Sequence, residues 1–286
     1  MSSIHYFVIA ALSAGCVSGN NAAPEQTSTV ASSIVTLDSS ALTDIPGGTI
    51  PTSRLTLTAF NSPIIARGLI QTTESMTRLE ATGTRATDDS RTWTLETDAK
   101  RGSLLVARKH DGGLPIRLDP VTLQRSAVER LASWGLPSTE IGIVHQRRAS
   151  AVDDDAPDQP RVFAHKTFVF RQVLGVPVEA HRAVVTHALD GTFQRALIKW
   201  PALAASGHLL HTRLSRAEIE RLALDALARE GVTDGAIALR WRYVATPTTT
   251  GEVVLRLSVA ARVPSVSGIE ADSEPRDIDV DVSPVQ

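Results

Sequence analysis

Two stretches decide the fold: residues 118–135, LDPVTLQRSAVERLASWG, and residues 214–231, LSRAEIERLALDALAREG. They align without a gap at an offset of 96 residues, with Leu118/Leu214, Arg125/Arg221, Ala127/Ala223, Leu131/Leu227, Ala132/Ala228 and Gly135/Gly231 identical. Leu123/Ile219, Val128/Leu224 and Glu129/Asp225 are close in character. Each stretch reads as one helix. In the first, Asp119 is a candidate N-cap and Pro120 takes the first helical position, where its missing N–H costs nothing. Leu123, Ala127, Leu131 and Trp134 then share one face, and Gly135 ends the helix. In the second, Ser215 and Glu218 have the spacing of a capping box, followed by an apolar face of Ile219, Leu222, Ala223, Ala226 and Leu227. Such a repeat predicts an architecture built twice.

Strand signals surround both helices. Thr92–Thr97 and Ser103–Arg108 alternate with period 2 around a Gly-containing turn and read as a hairpin. Arg54–Phe60 gives another short alternation, and residues 72–91 read as loop. Thr139–Arg147 is extended, and the acidic, Pro-containing run Asp153–Pro160 reads as a solvated loop. Residues 161–199 carry three strand-like runs, Arg161–Val173, Val178–Thr186 and Thr192–Trp200. Asp190-Gly191 marks a hairpin turn between the last two. After the second helix come Ala236–Val244 and Glu252–Val263. In the acidic tail, Ile278-Asp-Val-Asp-Val282 can add an edge strand. The expected class is α+β, with two helix-on-antiparallel-sheet units of PepSY or cystatin type after a disordered N-terminal tether. The expected boundaries are a signal at 1–16, a tether at 17–50, units at 51–200 and 201–270, and an acidic tail at 271–286.

Composition narrows the function classes. The chain has 286 residues and a net charge of −2. It has no Lys/Arg-rich block, so no nucleic-acid partner is expected. Its single cysteine, Cys16, rules out an internal disulfide. Tyr6–Leu12 is apolar but too short to span a bilayer, and Ser13-Ala-Gly-Cys16 follows it. This arrangement resembles a bacterial lipoprotein signal, in which the cysteine becomes the lipidated first residue. Leu12 lies four residues before the cysteine rather than the usual three, and no Lys or Arg precedes Arg54. The implied location is the bacterial cell envelope, membrane-anchored through Cys16, or the secreted space.

The segment from Gly175-Val-Pro-Val178 to Asp190-Gly191 resembles the strand pair of the fungalysin/thermolysin propeptide and PepSY families. Those families have an aromatic-rich strand, a Gly-Val-Pro-Val turn, a β-rich run and an Asp-Gly turn. The Ser215–Gly231 helix is similar to the PepSY helix, and the resemblance spans about residues 119–263. Gly175, Pro177, Asp190 and Gly191 are the motif residues. Arg171 stands where the family usually carries glutamine, and Ala180-His181 replaces a small or glycine pair. In protease precursors such regions act as intramolecular chaperones and inhibitors. This chain has no His-Glu-x-x-His motif, so the resemblance implies a stand-alone binding module.

Catalytic signals are absent from the sequence. There is no Gly-x-Ser-x-Gly elbow, no Gly-x-Gly-x-x-Gly and no Walker-type loop. His181 and His187 lie six residues apart on one run, about 20 Å in a strand, too far to share a metal. His208 and His211 have i, i+3 spacing, a weak metal signal that Glu218 or Glu220 would have to complete. No metal or cofactor is assigned. Trp200 and Trp241 read as core residues capping the helix–sheet interface. The expected function is a non-enzymatic, lipid-anchored protein that binds a protein partner, possibly a protease, through a sheet edge or face. The tentative contact residues are Glu179 and Arg182. The alternatives are a structural surface lipoprotein and an enzyme with a site no motif reveals.

Overall fold

The computed structural model describes residues 35–43, 70, 73–82, 85–98, 101–109, 119–153, 156–204, 212, 214–249, 252–264 and 276–282. Cys16 and the rest of the expected signal at 1–16, Arg54–Phe60, His208 and His211 lie outside them. Chain contacts separate Met1–Ser33 from Ile34–Gln286, and all that follows concerns the second unit.

Twelve strands form the sheet: β1 (Val35–Asp38), β2 (Thr77–Thr82), β3 (Arg85–Asp89), β4 (Trp93–Asp98), β5 (Ser103–Arg108), β6 (Ile141–Asp153), β7 (Ala156–Val173), β8 (Val176–Ala188), β9 (Phe193–Lys199), β10 (Gly235–Pro247), β11 (Val253–Val263) and β12 (Arg276–Asp281). Two helices of 14 residues are described, α1 (Pro120–Ser133) and α2 (Arg216–Arg229). They occupy the two aligned stretches at the same offset. Asp119 caps α1 by accepting from the Val121 and Thr122 amides, and Ser215 with Glu218 closes a capping box on α2. Gly135 and Gly231 follow them with φ of 94° and 74°.

The expectation of two separate helix-on-antiparallel-sheet units is overturned. The strands form one mixed sheet in the order β12-β11-β10-β8-β9-β5-β4-β3-β2, with β1 parallel on β10 and the β6–β7 ribbon joined to β8. The physical reason lies in β8. Ala180 has φ of 59°, a left-handed conformation that breaks the strand's alternation. Before it, Val178 bridges Tyr243 of β10 in parallel; after it, Arg182–His187 pair with β9. One long strand thus serves two neighbours and welds the sheet together.

Three other expectations change. Residues 72–91, read as loop, contain β2 and β3, which pair antiparallel with each other, and β3 pairs in turn with β4. Val35–Asp38 lies in the stretch read as tether, yet its Val-Thr-Leu alternation forms β1, paired with Gly235–Ala238. Of the Asp153–Pro160 run, read as a loop, Asp153 ends β6 and Ala156–Pro160 begin β7, with Asp153 opposite Ala156. Pairing of β7 with β8 begins only at Ala164, so Pro157 and Pro160 sit where β7 has a neighbour on one side. The tail does add an edge strand: β12 pairs antiparallel with β11.

The helices bury two apolar clusters. Ala127 and Leu131 of α1 pack with Leu95, Leu104, Val106, Val185 and Ile198. Ile219, Ala223 and Leu227 of α2 pack with Ile237, Leu239, Leu257, Val259 and Val280. Both helices use the same three repeat positions, Leu123/Ile219, Ala127/Ala223 and Leu131/Leu227, as buried contacts.

Candidate functional site: an open sheet face and the cleft beside it

The motif segment builds the centre of the site. Leu174 and Gly175 both take positive φ, 50° and 80°, and turn β7 tightly into β8. Pro177 is the second residue of β8, opposite Gln172 across a bulge, so its missing N–H falls where the ladder is already broken. Asp190 accepts from the Thr192 amide at 2.8 Å, and Gly191 has φ of 81°. Of the two turn residues only Gly191 uses positive φ, because the loop is Leu189–Thr192 rather than a two-residue turn.

Strand parity divides the side chains of β4 to β9. One set, including Leu95, Leu104, Ala196, Val185 and Val169, is buried under α1. The other set points to the opposite face, which no described helix covers. There, direct cross-strand pairing aligns Glu96, Leu105, Leu197, Val184, Phe168 and His145 in one row across six strands. Leu197 is 45% exposed and nearby Ile143 is 64% exposed. His145 stacks on both Phe168 and Phe170, each at 5.2 Å between ring centres.

Basic residues flank this apolar row on both sides. On one side Arg182 lies directly opposite Lys199, and on the other Lys166 lies directly opposite Arg147 and Arg195 faces Thr186. Lys166, Arg182, Arg195 and Lys199 form no ion pair with a described residue. The matching face of β10–β12 is different. There Asp277, Asp279 and Asp281 of β12 neutralise Arg240, Arg242, Arg256 and Arg262 in a continuous ladder.

Of the two residues named from sequence, Arg182 belongs to this face, with its guanidinium 6.0 Å from the Phe168 ring centre. Glu179 does not. It is paired with Arg242 at 3.2 Å and lines a cleft of about 740 Å³ beside the face. The cleft opens where β8 changes partners and is also lined by Arg85, Arg101, His181, Leu197, Lys199 and Pro201.

A buried ionic cluster lies behind the cleft wall, and motif reading missed it. Arg171 donates to Glu140 Oε2 from Nε at 2.8 Å and from Nη2 at 2.7 Å, and to the Pro201 carbonyl from Nη1 at 2.6 Å. Trp200 Nε1 donates to the same carboxylate oxygen at 2.9 Å. Nη1 also lies 3.4 Å from His181 Nδ1. A guanidinium only donates, which leaves the imidazole proton on Nε2. Burial, reinforced by Arg171 and Lys199, lowers the His181 pKa to about 3. The Arg171–Glu140 pair is neutral in sum and tied by several hydrogen bonds to β7, Trp200 and Pro201, which suits a structural pillar rather than a proton-transfer site. Its sequence signal was parity: Val169, Arg171 and Val173 alternate inward on β7.

Trp200 is buried as expected, whereas Trp241 is only partly covered and donates to the Thr43 carbonyl at 2.8 Å. His181 and His187 lie in separate environments, beside Arg171 and against Phe193 respectively. Among the described residues no group of three or more His, Cys, Asp or Glu could hold a metal. No described helix is long and apolar enough to cross a membrane.

No family model matches the chain, and no curated protein matches it. Among solved structures, it is similar to an uncharacterized protein from Eubacterium rectale at 11% identity and a TM-score of 0.48, over 82% of this chain and 81% of that one. It is also similar to the YpeB C-terminal domain of Bacillus megaterium at 12% identity and a TM-score of 0.38, over 82% of this chain and 95% of that one. Likenesses this distant leave function to be argued from the site.

Proposed function

We propose that this chain is a non-enzymatic binding protein, exported and held at the bacterial envelope through lipid on Cys16, that captures a protein partner on its open sheet face. The observation that carries the reading is the outward-facing row of half-buried Leu105, Val184 and Phe168 with exposed Leu197, bordered by polar residues on a sheet whose other face is covered by α1. An apolar patch with a polar rim is the usual anatomy of an interaction surface. The propeptide/PepSY resemblance of Gly175–Gly191 supports it, since that segment contributes β8 to the middle of the face. A protease is then a natural partner class.

The test is capture from an envelope extract by wild-type protein and by Leu197→Asp and Val184→Asp variants. These substitutions replace outward-pointing side chains, so their melting temperatures are expected to stay near wild type while the specific partner is lost. Identical captured proteins for all three would remove the face from consideration and leave a purely structural surface protein. The anchor is tested separately, by the intact mass of membrane-extracted protein and by release of Cys16→Ser. A species retaining residues 1–15 counts against lipidation.

A further inference from the structure

Resting on that reading, we infer that the partner presents an acidic amphipathic helix of three to four turns, whose apolar stripe lies along the Leu105–Leu197–Val184–Phe168 row with carboxylates on both sides of it.

The first ground is charge. Like charges directly opposite each other on adjacent strands are destabilising. This face holds one such pair, Arg182 with Lys199, on one side of the apolar row, and on the other side Lys166 and Arg195, which form no ion pair with a described residue. An anionic partner relieves the repulsion on the first side and pairs the cations on the second. The chain supplies its own precedent in β12, whose alternating Asp277, Asp279 and Asp281 neutralise the arginines of the neighbouring strands.

The second ground is shape. Arg182 and Thr186, the β8 positions of the two flanking rows, are four residues apart, about 13 Å at 3.3 Å per residue. Val184 lies midway between them. A helix with its side chains is about 10–12 Å wide and can place an apolar stripe on the middle row with acids reaching both flanks. An extended strand presents one line of side chains to the face and reaches one flank. From β5 to β6 the row crosses five strands, about 19 Å at 4.8 Å per strand. At 1.5 Å per residue this accommodates about 13 helical residues, close to the 14 of α1 on the other side.

Two rival anions fit less well. Bases of a single strand would need free aromatic faces, but His145, Phe168 and Phe170 stack on one another. A flat anionic membrane would press on the whole face, including Glu96 and Asp98 at its β4 end.

The experiment uses the full chain and a fluorescent 14-residue helical peptide with a leucine stripe flanked by glutamates. Its counterpart keeps the stripe and carries lysines. The glutamate peptide is expected to bind, at least tenfold more tightly than the lysine peptide, with affinity falling steeply with salt. Lys199→Glu and Lys166→Glu are expected to weaken binding about tenfold, and Lys199→Glu to raise the melting temperature as well, because it replaces a repulsive cross-strand pair with an attractive one. A role confined to folding would not move the two readouts in opposite directions. Equal affinity for both peptides, or no binding of either at millimolar concentration, overturns the inference. So does tighter binding of phosphatidylglycerol vesicles or oligo-dT with the same dependence on Lys166 and Lys199. If the peptides fail yet Leu197→Asp still abolishes capture from extract, the acidic helix is wrong and the partner surface stands. If both fail, both readings fall.

Discussion

Arg171 is fully buried where the resembling families carry glutamine, and its guanidinium ties β7 to Glu140 and to the Pro201 carbonyl. Removing one member of a buried, hydrogen-bonded pair leaves the other charge uncompensated and typically costs about 3–5 kcal/mol. Arg171→Gln is therefore expected to lose about that much in urea denaturation. The double variant Arg171→Gln/Glu140→Gln should lose less than the sum of its parts. Additive losses would show that the two groups are not coupled. The buried histidines give a second expectation. Burial, with Arg130 and His165, lowers the His187 pKa to about 4, and neither ring nitrogen has a hydrogen-bond partner. His181 is lowered to about 3, mainly by burial. Both remain neutral when folded and take up protons when unfolded near the ordinary value of about 6.5. The unfolded state thus binds more protons below that pH, and stability falls as pH drops. Between pH 6 and 5 the slope approaches about 1.4 kcal/mol per pH unit for each histidine. His187→Leu should remove one of the two contributions, and an unchanged slope in urea titrations at these pH values would refute the assignment.

At the scale of elements, local signals were legible and long-range ones were not. Asp119, Ser215 with Glu218, Gly191 and the 92–108 hairpin all act within a few residues, and the structure places a cap or turn at each. The partner change in β8 has no such local signature. Ala180 is not a residue whose type announces positive φ, and a strand facing β10 alternates in the same way as one facing β9. The like-charged pair was invisible for the same reason: Arg182 and Lys199 become neighbours only through the register. Two substitutions probe these backbone positions from opposite directions. Gly102 has φ of 57°, and a Cβ there would lie 2.2 Å from Pro201 Cα, a backbone atom that cannot yield alone. Gly102→Ala is expected to cost well over 1 kcal/mol, since it combines left-handed strain with overpacking. Ala180 already bears that strain, so Ala180→Gly is expected to stabilise by up to about 1 kcal/mol. Thermal melts of the two variants should therefore shift in opposite directions. A lower melting temperature for Ala180→Gly would mean that the methyl group has a packing role outweighing the strain.

For the whole molecule, the repeat and the sheet make opposing claims about cooperativity. The repeat suggests two modules, and the apolar clusters under α1 and α2 share no buried residue. Two independently stable modules would melt separately. The sheet argues otherwise, because β7 and β8 run through both clusters. Val169, Ala183 and Val185 lie in one, and Val173, Val176 and Val178 lie in the other. The second core therefore cannot unfold without pulling apart strands that complete the first. Contacts likewise place everything from Ile34 to Gln286 in one unit. The expected behaviour is one calorimetric transition whose van't Hoff and calorimetric enthalpies agree. Leu131 and Leu227 occupy the same repeat position, each fully buried under its own helix. Leu131→Ala and Leu227→Ala should each cost about 2–5 kcal/mol through lost burial and a residual cavity. If the unit is cooperative, either substitution moves the single transition as a whole, and hydrogen exchange accelerates in both clusters. If instead Leu131→Ala splits the transition and leaves amides around Ile237, Leu239 and Val259 protected, the sheet is a seam between two folding units. The repeat would then describe the thermodynamics as well as the sequence.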